Sequence, residues 1–151
     1  MRVWRIAARG RARLDGVGAR RTGGRWNSKG TAMVYTSGTL ALATLEKLVH
    51  VDPDLIPLGQ LVLEIEIPSS LISILPRRRL PKDWRRTPPI SATLLLGDRW
   101  VESGSSAVLA VPSAIVPREL NYLINPDHPA AGRIRIVARS RFSFDPRLVR
   151  R

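Results

Sequence analysis

The sequence predicts a single α+β domain over residues 1–151, built on a mixed, mostly antiparallel sheet. Three observations point there. Runs with the two-residue alternation of strands outnumber runs with helical spacing, and the two kinds do not alternate regularly as a parallel βα array would. The chain shows neither an internal repeat nor a second core. At 151 residues it is long enough to bury roughly two-thirds of its unfolded surface without covalent staples.

Residues 2–7 (Arg-Val-Trp-Arg-Ile-Ala) read as a first strand, with Val3 and Arg5 on one face and Trp4 and Ile6 on the other. Arg5, sharing a face with an apolar neighbour, needs an anionic partner. From Arg9 to Gly30 the chain is rich in Gly and Arg and has no period, which predicts a long extended loop. Trp26 in its middle argues for order, and Gly23-Gly24 allow the backbone to approach a ligand closely. Residues 31–35 read as a strand, residues 36–39 as a turn and helix cap, and residues 40–50 as a helix. In that helix Ala41, Leu42, Leu45, Leu48 and Val49 form one apolar stripe expected to face the core, with Glu46 at its margin. Asp52-Pro53 and Pro57-Leu58-Gly59 close it.

Residues 61–67 form the cleanest strand, Glu64 and Glu66 on its polar face, and residues 71–75 another short one. The basic, Pro-rich segment 76–89 reads as an exposed connection. A helix is expected from Ser91 to a stop near Gly97 with Trp100 behind it, then a buried strand over 107–111 ended by Pro112-Ser113. Residues 121–129 read as a turn-rich loop, residues 133–137 as a strand, and the tail from Phe142 as a segment folding back on the sheet.

Composition excludes several classes. With no cysteine there is neither a disulfide framework nor a thiolate metal site, and His50 and His128 lie far apart in sequence, so no metal is expected. No apolar run follows the N-terminal charges and none approaches the ~20 residues of a membrane span, so a cytoplasmic protein is expected. The formal charge of +13, mostly arginine, attracts polyanions. Yet Arg77-Arg78-Arg79 and Arg85-Arg86 lack interleaved aromatics, and no helix-turn-helix or zinc-finger pattern occurs, so a basic nucleic-acid or protein-binding module is the more distant reading.

The chemistry concentrates in one loop-strand-helix unit: Gly23-Gly24-Arg25-Trp26-Asn27, then Val34-Tyr35, then Glu46. Arg25 offers a guanidinium that grips phosphate oxygens two at a time, Tyr35 a flat ring or a hydroxyl, and Glu46 a carboxylate to stabilise positive charge developing on a sugar. From the residues alone, the favoured reading of Glu46 is a surface carboxylate paired with His50 or an arginine, while Arg25 as one member of a structural ion pair and Tyr35 as a core phenol are the alternatives.

These residues, together with Gly97-Asp98-Arg99-Trp100, the run from Ser106 to Ser113 and Asn121-Tyr122-Leu123-Ile124-Asn125-Pro126-Asp127-His128, resemble the RES domain over nearly the whole chain. The resemblance implies a fold similar to diphtheria-type ADP-ribosyltransferases, and a bacterial toxin that uses NAD as substrate and passes ADP-ribose to water, inorganic phosphate or a protein. It also implies an antitoxin of the Xre, ParS or MbcA type that occludes the active site, with a homodimer within the complex as one arrangement. Carried over by residue, it places the family arginine at Arg25, a second arginine at Arg5, the tyrosine at Tyr35 and the glutamate at Glu46. Ser106 fits the family serine best because it leads into the apolar strand; Ser113 is its rival and Ser91 a third.

Overall fold

A computed structural model describes residues 1–149 other than Pro53, Asp54 and Ile56. Seven strands form one sheet: β1 (Arg2–Ala8), β2 (Val34–Ser37), β3 (Gln60–Glu66), β4 (Ile72–Ile74), β5 (Val108–Pro112), β6 (Leu120–Ile124) and β7 (Arg135–Phe142). Their spatial order is β4-β5-β6-β2-β1-β3-β7, antiparallel throughout except for the parallel β4–β5 pair. The helices are α1 (Val17–Thr22), α2 (Leu40–Leu48), α3 (Ser91–Ser103) and the short α4 (Pro146–Val149). The α+β class and the mostly antiparallel mixed sheet are as the sequence predicts.

Alternation along the strands divides the core between the two faces of the sheet. Val3, Val34, Leu63, Ile65, Val108 and Ile124 pack on one face. Leu109, Val111 and Leu123 pack on the other, against Trp26 and the Trp100 side of α3, while Ile6 and Val62 meet Ala43 of α2. The polar face of β3 is neutralised at its rim, where Glu66 pairs with Arg2 and Arg135 and Glu64 with Arg2.

Several expectations are corrected. Residues 9–30 are not wholly extended: they hold a 3-10 turn at Arg9–Arg11 and α1, whose first residue's N–H is accepted by the Asp15 side chain. The strand expected at 31–35 begins at Val34 and runs through Ser37, because β6 pairs with Val34–Ser37; Thr39 alone remains as the cap, its Oγ1 accepting the Leu42 N–H. The α2 stripe is only partly interior: Leu42 and Ala43 are buried, whereas Leu45 is 36% and Val49 58% exposed. Pro53, part of the expected helix stop, lies outside the described residues.

Gly97 does not end α3, which continues to Ser103 and is closed by Gly104 in the left-handed region. It sits mid-helix because a Cβ there would lie 1.7 Å from the Trp26 carbonyl oxygen, so only glycine lets the 23–30 loop lie on the helix. The loop expected at 121–129 contains β6, a central strand whose burial comes from its neighbours β2 and β5. The strand expected at 133–137 instead spans 135–142, with its register shifting opposite Glu64/Ile65, and Phe144 folds back into a buried edge-to-face contact with Phe142.

Sheet topology creates one discontinuity. β1 meets β3 along its full length, from Arg2↔Glu66 to Ala8↔Gln60, but meets β2 at the single pair Trp4↔Ser37. Beyond that pair the next rungs of an antiparallel ladder, Arg5 with Thr36 and Ile6 with Tyr35, are not formed. The two strands part there, and a cleft opens between them.

Candidate active site

The cleft has a volume of about 210 Å³ and is lined from β1 by Trp4, Arg5 and Ile6, from β2 by Tyr35, Thr36 and Ser37, from α2 by Ala43, Glu46 and Lys47, and from β6 by Asn121. Each arrives for a local reason. The Thr39 cap starts α2 directly after β2, so Glu46 and Lys47, about two turns on, return over the parted strands. Pairing of β2 with β6 sets Ser37 opposite Asn121.

The Glu46 carboxylate is held by two donors on one oxygen: Ser113 Oγ at 2.7 Å and Asn121 Nδ2 at 2.6 Å from Oε1. Asn121 is itself oriented by the Ser37 hydroxyl, which donates to its Oδ1 at 2.8 Å. Ser113 is fully buried, and its Oγ also accepts the N–H groups of Ile115 and Val116. Among the described residues Oε2 has no protein donor. A carboxylate oriented through one oxygen, with the other unbonded, is suited to meet an external cation or hydroxyl.

Two cations line the same cleft, Arg5 from β1 and Lys47 from α2 beside Glu46. Arg5 is largely buried and donates from Nη1 to the Arg13 carbonyl at 3.2 Å; burial lowers its pKa, and Asp15 partly opposes this. Lys47 is half-buried, and burial, Arg5 and Arg11 all lower its pKa. Neither cation has a carboxylate within ion-pair distance among the described residues, where the ion pairs use Arg2, Arg135 and Arg147. Two cations that form no ion pair favour an anionic ligand.

Tyr35 shows its ring to the cleft, but its hydroxyl is committed. It donates to Asn27 Oδ1 at 2.7 Å and accepts the Trp26 N–H at 3.0 Å, and burial raises its pKa well above the ordinary phenol value. Asn27, fully buried, completes the anchor by donating from Nδ2 to the carbonyls of Ala19, Ser28 and Thr31. Ser28 N–H is in turn accepted by Asp98 of α3 at 2.9 Å. The Gly-Gly-Arg-Trp-Asn stretch is therefore a rigid platform rather than a free phosphate loop.

Arg25 does not line this cleft. Its Nη1 donates to the carbonyls of Trp84 and Arg86, both at 2.8 Å, and its Nη2 to Thr87 Oγ1 at 3.3 Å, so it clasps the 84–87 segment. Burial lowers its pKa, while Glu46 and Tyr35 act in the opposite sense and Arg85 reinforces the lowering. It thus lies within electrostatic reach of Glu46.

Ser106 is placed elsewhere. It contacts Ser73 Oγ at 2.6 Å, accepts from Trp100 Nε1 at 2.9 Å and donates to the Val108 carbonyl, fastening α3 to β4 and β5. Ser113, which follows the far end of β5, is the serine that touches Glu46. Ser91 is the first residue of α3. Asn121, Ser37 and Lys47 were not singled out as site residues from the sequence; Asn121 heads the motif that continues to His128, and only the β2–β6 register reveals its role.

A family model described as the RES domain matches residues 2–145. The chain is 39% identical over 98% of its length to a protein of Sphingobium sp. (strain YBL2) named "Prs ADP-ribosylating toxin", covering 96% of that protein. It is 43% identical over 88% of its length to "Toxin Res" of Yersinia enterocolitica, covering 88% of that chain. Among solved structures it matches the M. tuberculosis MbcT-MbcA toxin-antitoxin complex with a TM-score of 0.75 at 17% identity, over 98% of this chain and 86% of that one, which shows a shared fold. These matches define an α+β protein of the RES type. This chain belongs to the RES domain family.

Proposed function

We propose that the chain is the toxin of a toxin–antitoxin pair and that it breaks the nicotinamide–ribose bond of NAD, by hydrolysis or phosphorolysis. The observation that carries this reading is the Glu46 carboxylate, clamped on one oxygen by Ser113 and Asn121, in the same cleft as the unneutralised cations Arg5 and Lys47. Bond cleavage leaves positive character on the ribose, which Glu46 stabilises; the diphosphate lies toward Arg5 and Lys47; the nicotinamide ring stacks near Tyr35. The cleft's 210 Å³ is below the roughly 300 Å³ at which ligand pockets usually begin, so it takes the nicotinamide riboside end while the adenosine lies over the rim. Arg25 acts in this scheme by holding the 84–87 segment and by its field at Glu46.

The names of the Sphingobium and Yersinia relatives support a toxin, and the former supports transfer of ADP-ribose to a protein as the second reading, which shares the first half-reaction. The fold shared with the toxin–antitoxin complex of M. tuberculosis supports an antitoxin partner, which restrains the activity by covering the cleft. The test is release of nicotinamide from NAD by the purified protein. Glu46→Gln keeps an oxygen for Ser113 and Asn121, and is expected to lower the rate by about 10²–10³ without loss of fold. Unchanged release in this variant would overturn the assignment.

A further inference from the structure

Glu46 sits on the part of α2 that the core grips least: the buried residues of the helix, Leu42 and Ala43, lie in the turn before it. Its carboxylate is therefore placed by its own hydrogen bonds rather than by packing of the helix, and the sense of those bonds can be followed from donor to acceptor. Ser113 Oγ already accepts the N–H groups of Ile115 and Val116, so its single proton is left for Glu46 Oε1. Asn121 has no such built-in sense. An amide held at one end only swings about its Cβ–Cγ bond, which is a soft torsion. Here both ends are held: Nδ2 donates to Oε1 at 2.6 Å while Oδ1 accepts the Ser37 hydroxyl at 2.8 Å. Ser37 in turn stands on a fixed frame. It is 4% exposed, and its backbone pairs with Trp4 on one side and Asn121 on the other. Its chain neighbours lace β2 to β6, Thr36 Oγ1 donating to the Tyr122 carbonyl at 2.7 Å and Gly38 N–H to that of Leu120 at 3.0 Å.

We infer that Ser37 and Asn121 are a positioning pair: through a hydroxyl and an amide in series, the sheet fixes the plane of the Glu46 carboxylate and keeps Oε2 aimed at the ribose. The inference rests on the NAD reading. Both residues also line the cleft, so the competing role is direct contact with substrate. The two roles separate kinetically. A side chain that binds the dinucleotide equally in ground and transition state alters KM, whereas one that acts through Glu46 alters kcat, and only while residue 46 is a carboxylate.

The experiment measures nicotinamide release from NAD by the purified chain and by its Asn121→Ala, Ser37→Ala and Ser37→Cys variants, each alone and combined with Glu46→Gln, with folding at the assay temperature checked by circular dichroism. Asn121→Ala should lower kcat about 10²-fold and Ser37→Ala roughly tenfold, with the KM for NAD within about twofold of the unaltered chain. Because the two side chains act in series, Ser37→Ala should cost nothing further once Asn121 is alanine, and neither substitution should cost anything further in Glu46→Gln. Ser37→Cys keeps the size of the side chain with a weaker donor, so its kcat should fall between those of serine and alanine, and it carries the test if an alanine variant does not fold. A raised KM with kcat unchanged, or a loss of equal size in the Glu46→Gln background, would overturn the positioning role and leave NAD cleavage standing. No nicotinamide release by the unaltered chain would overturn both.

Discussion

At the scale of the residue, the cleft trades stability for charge. Lys47 is held half-buried beside Arg5 and Arg11, all cationic, and its pKa is lowered in the fold by burial and by both arginines. Protonated Lys47 therefore opposes folding at neutral pH; the penalty is full below the lowered folded pKa and disappears as pH rises through it toward the unfolded value of 10.5. Lys47→Met should accordingly raise the melting temperature near pH 7, with the advantage shrinking as pH approaches 10.5, while raising the KM for NAD. Thermal melts across pH and a kinetic assay check the two halves separately. Tyr35 shows the reverse economy: its hydroxyl is already satisfied by Asn27 and Trp26, so Tyr35→Phe removes two bonds of the platform, not a ligand contact. A loss of about 1–3 kcal/mol in stability is expected, read from denaturant unfolding.

At the scale of the element, α3 and the 23–30 platform are joined through Gly97, where the Trp26 carbonyl occupies the space of a side chain. In an open helix Gly97→Ala would be favourable by about 1 kcal/mol. Here the added methyl must push the platform away, and a net loss of about 2 kcal/mol or more is expected by thermal unfolding, with reduced nicotinamide release because Tyr35 moves with the platform. The same contact explains why sequence reading ended α3 too early: glycine in a helical run signals a stop unless a distant backbone is known to lie on it. Elements marked by an apolar period or run in their own sequence were legible, as for β1, β3, β5 and the start of α2. Those set by neighbours were not. β6 reads as a loop until β2 and β5 flank it, and Leu45 and Val49 share the helical spacing of Leu42 yet are exposed where Leu42 is buried.

Over the whole molecule, the site's location was readable in outline and its wiring was not. Arg25, Tyr35 and Glu46 come from one stretch and fall in one region, but sequence spacing does not reveal that Arg25 turns to the 84–87 carbonyls, nor that β5 delivers Ser113 rather than Ser106 to Glu46. The +13 charge bears at this scale on the proposed antitoxin. An acidic inhibitor should associate more slowly and less tightly as salt rises from about 0.05 to 0.5 M, where screening contracts to a few ångströms, and surface plasmon resonance with a cognate antitoxin would measure it. Salt-independent association would show that apolar contacts, such as those open at Leu45 and Val49, dominate instead.

The lone Trp4↔Ser37 rung leaves the sheet's ladder in two panels joined by one pair, β1-β3-β7 on one side and β2-β6-β5-β4 on the other, over a shared core. Arg5 belongs to the first panel, while Tyr35, Asn121 and Ser113 belong to or adjoin the second. A molecule that touches both then acts as a splint across an incomplete seam. Occupancy would stiffen that seam, so amide protons flanking the single rung, more than those of either panel's interior, would register its arrival.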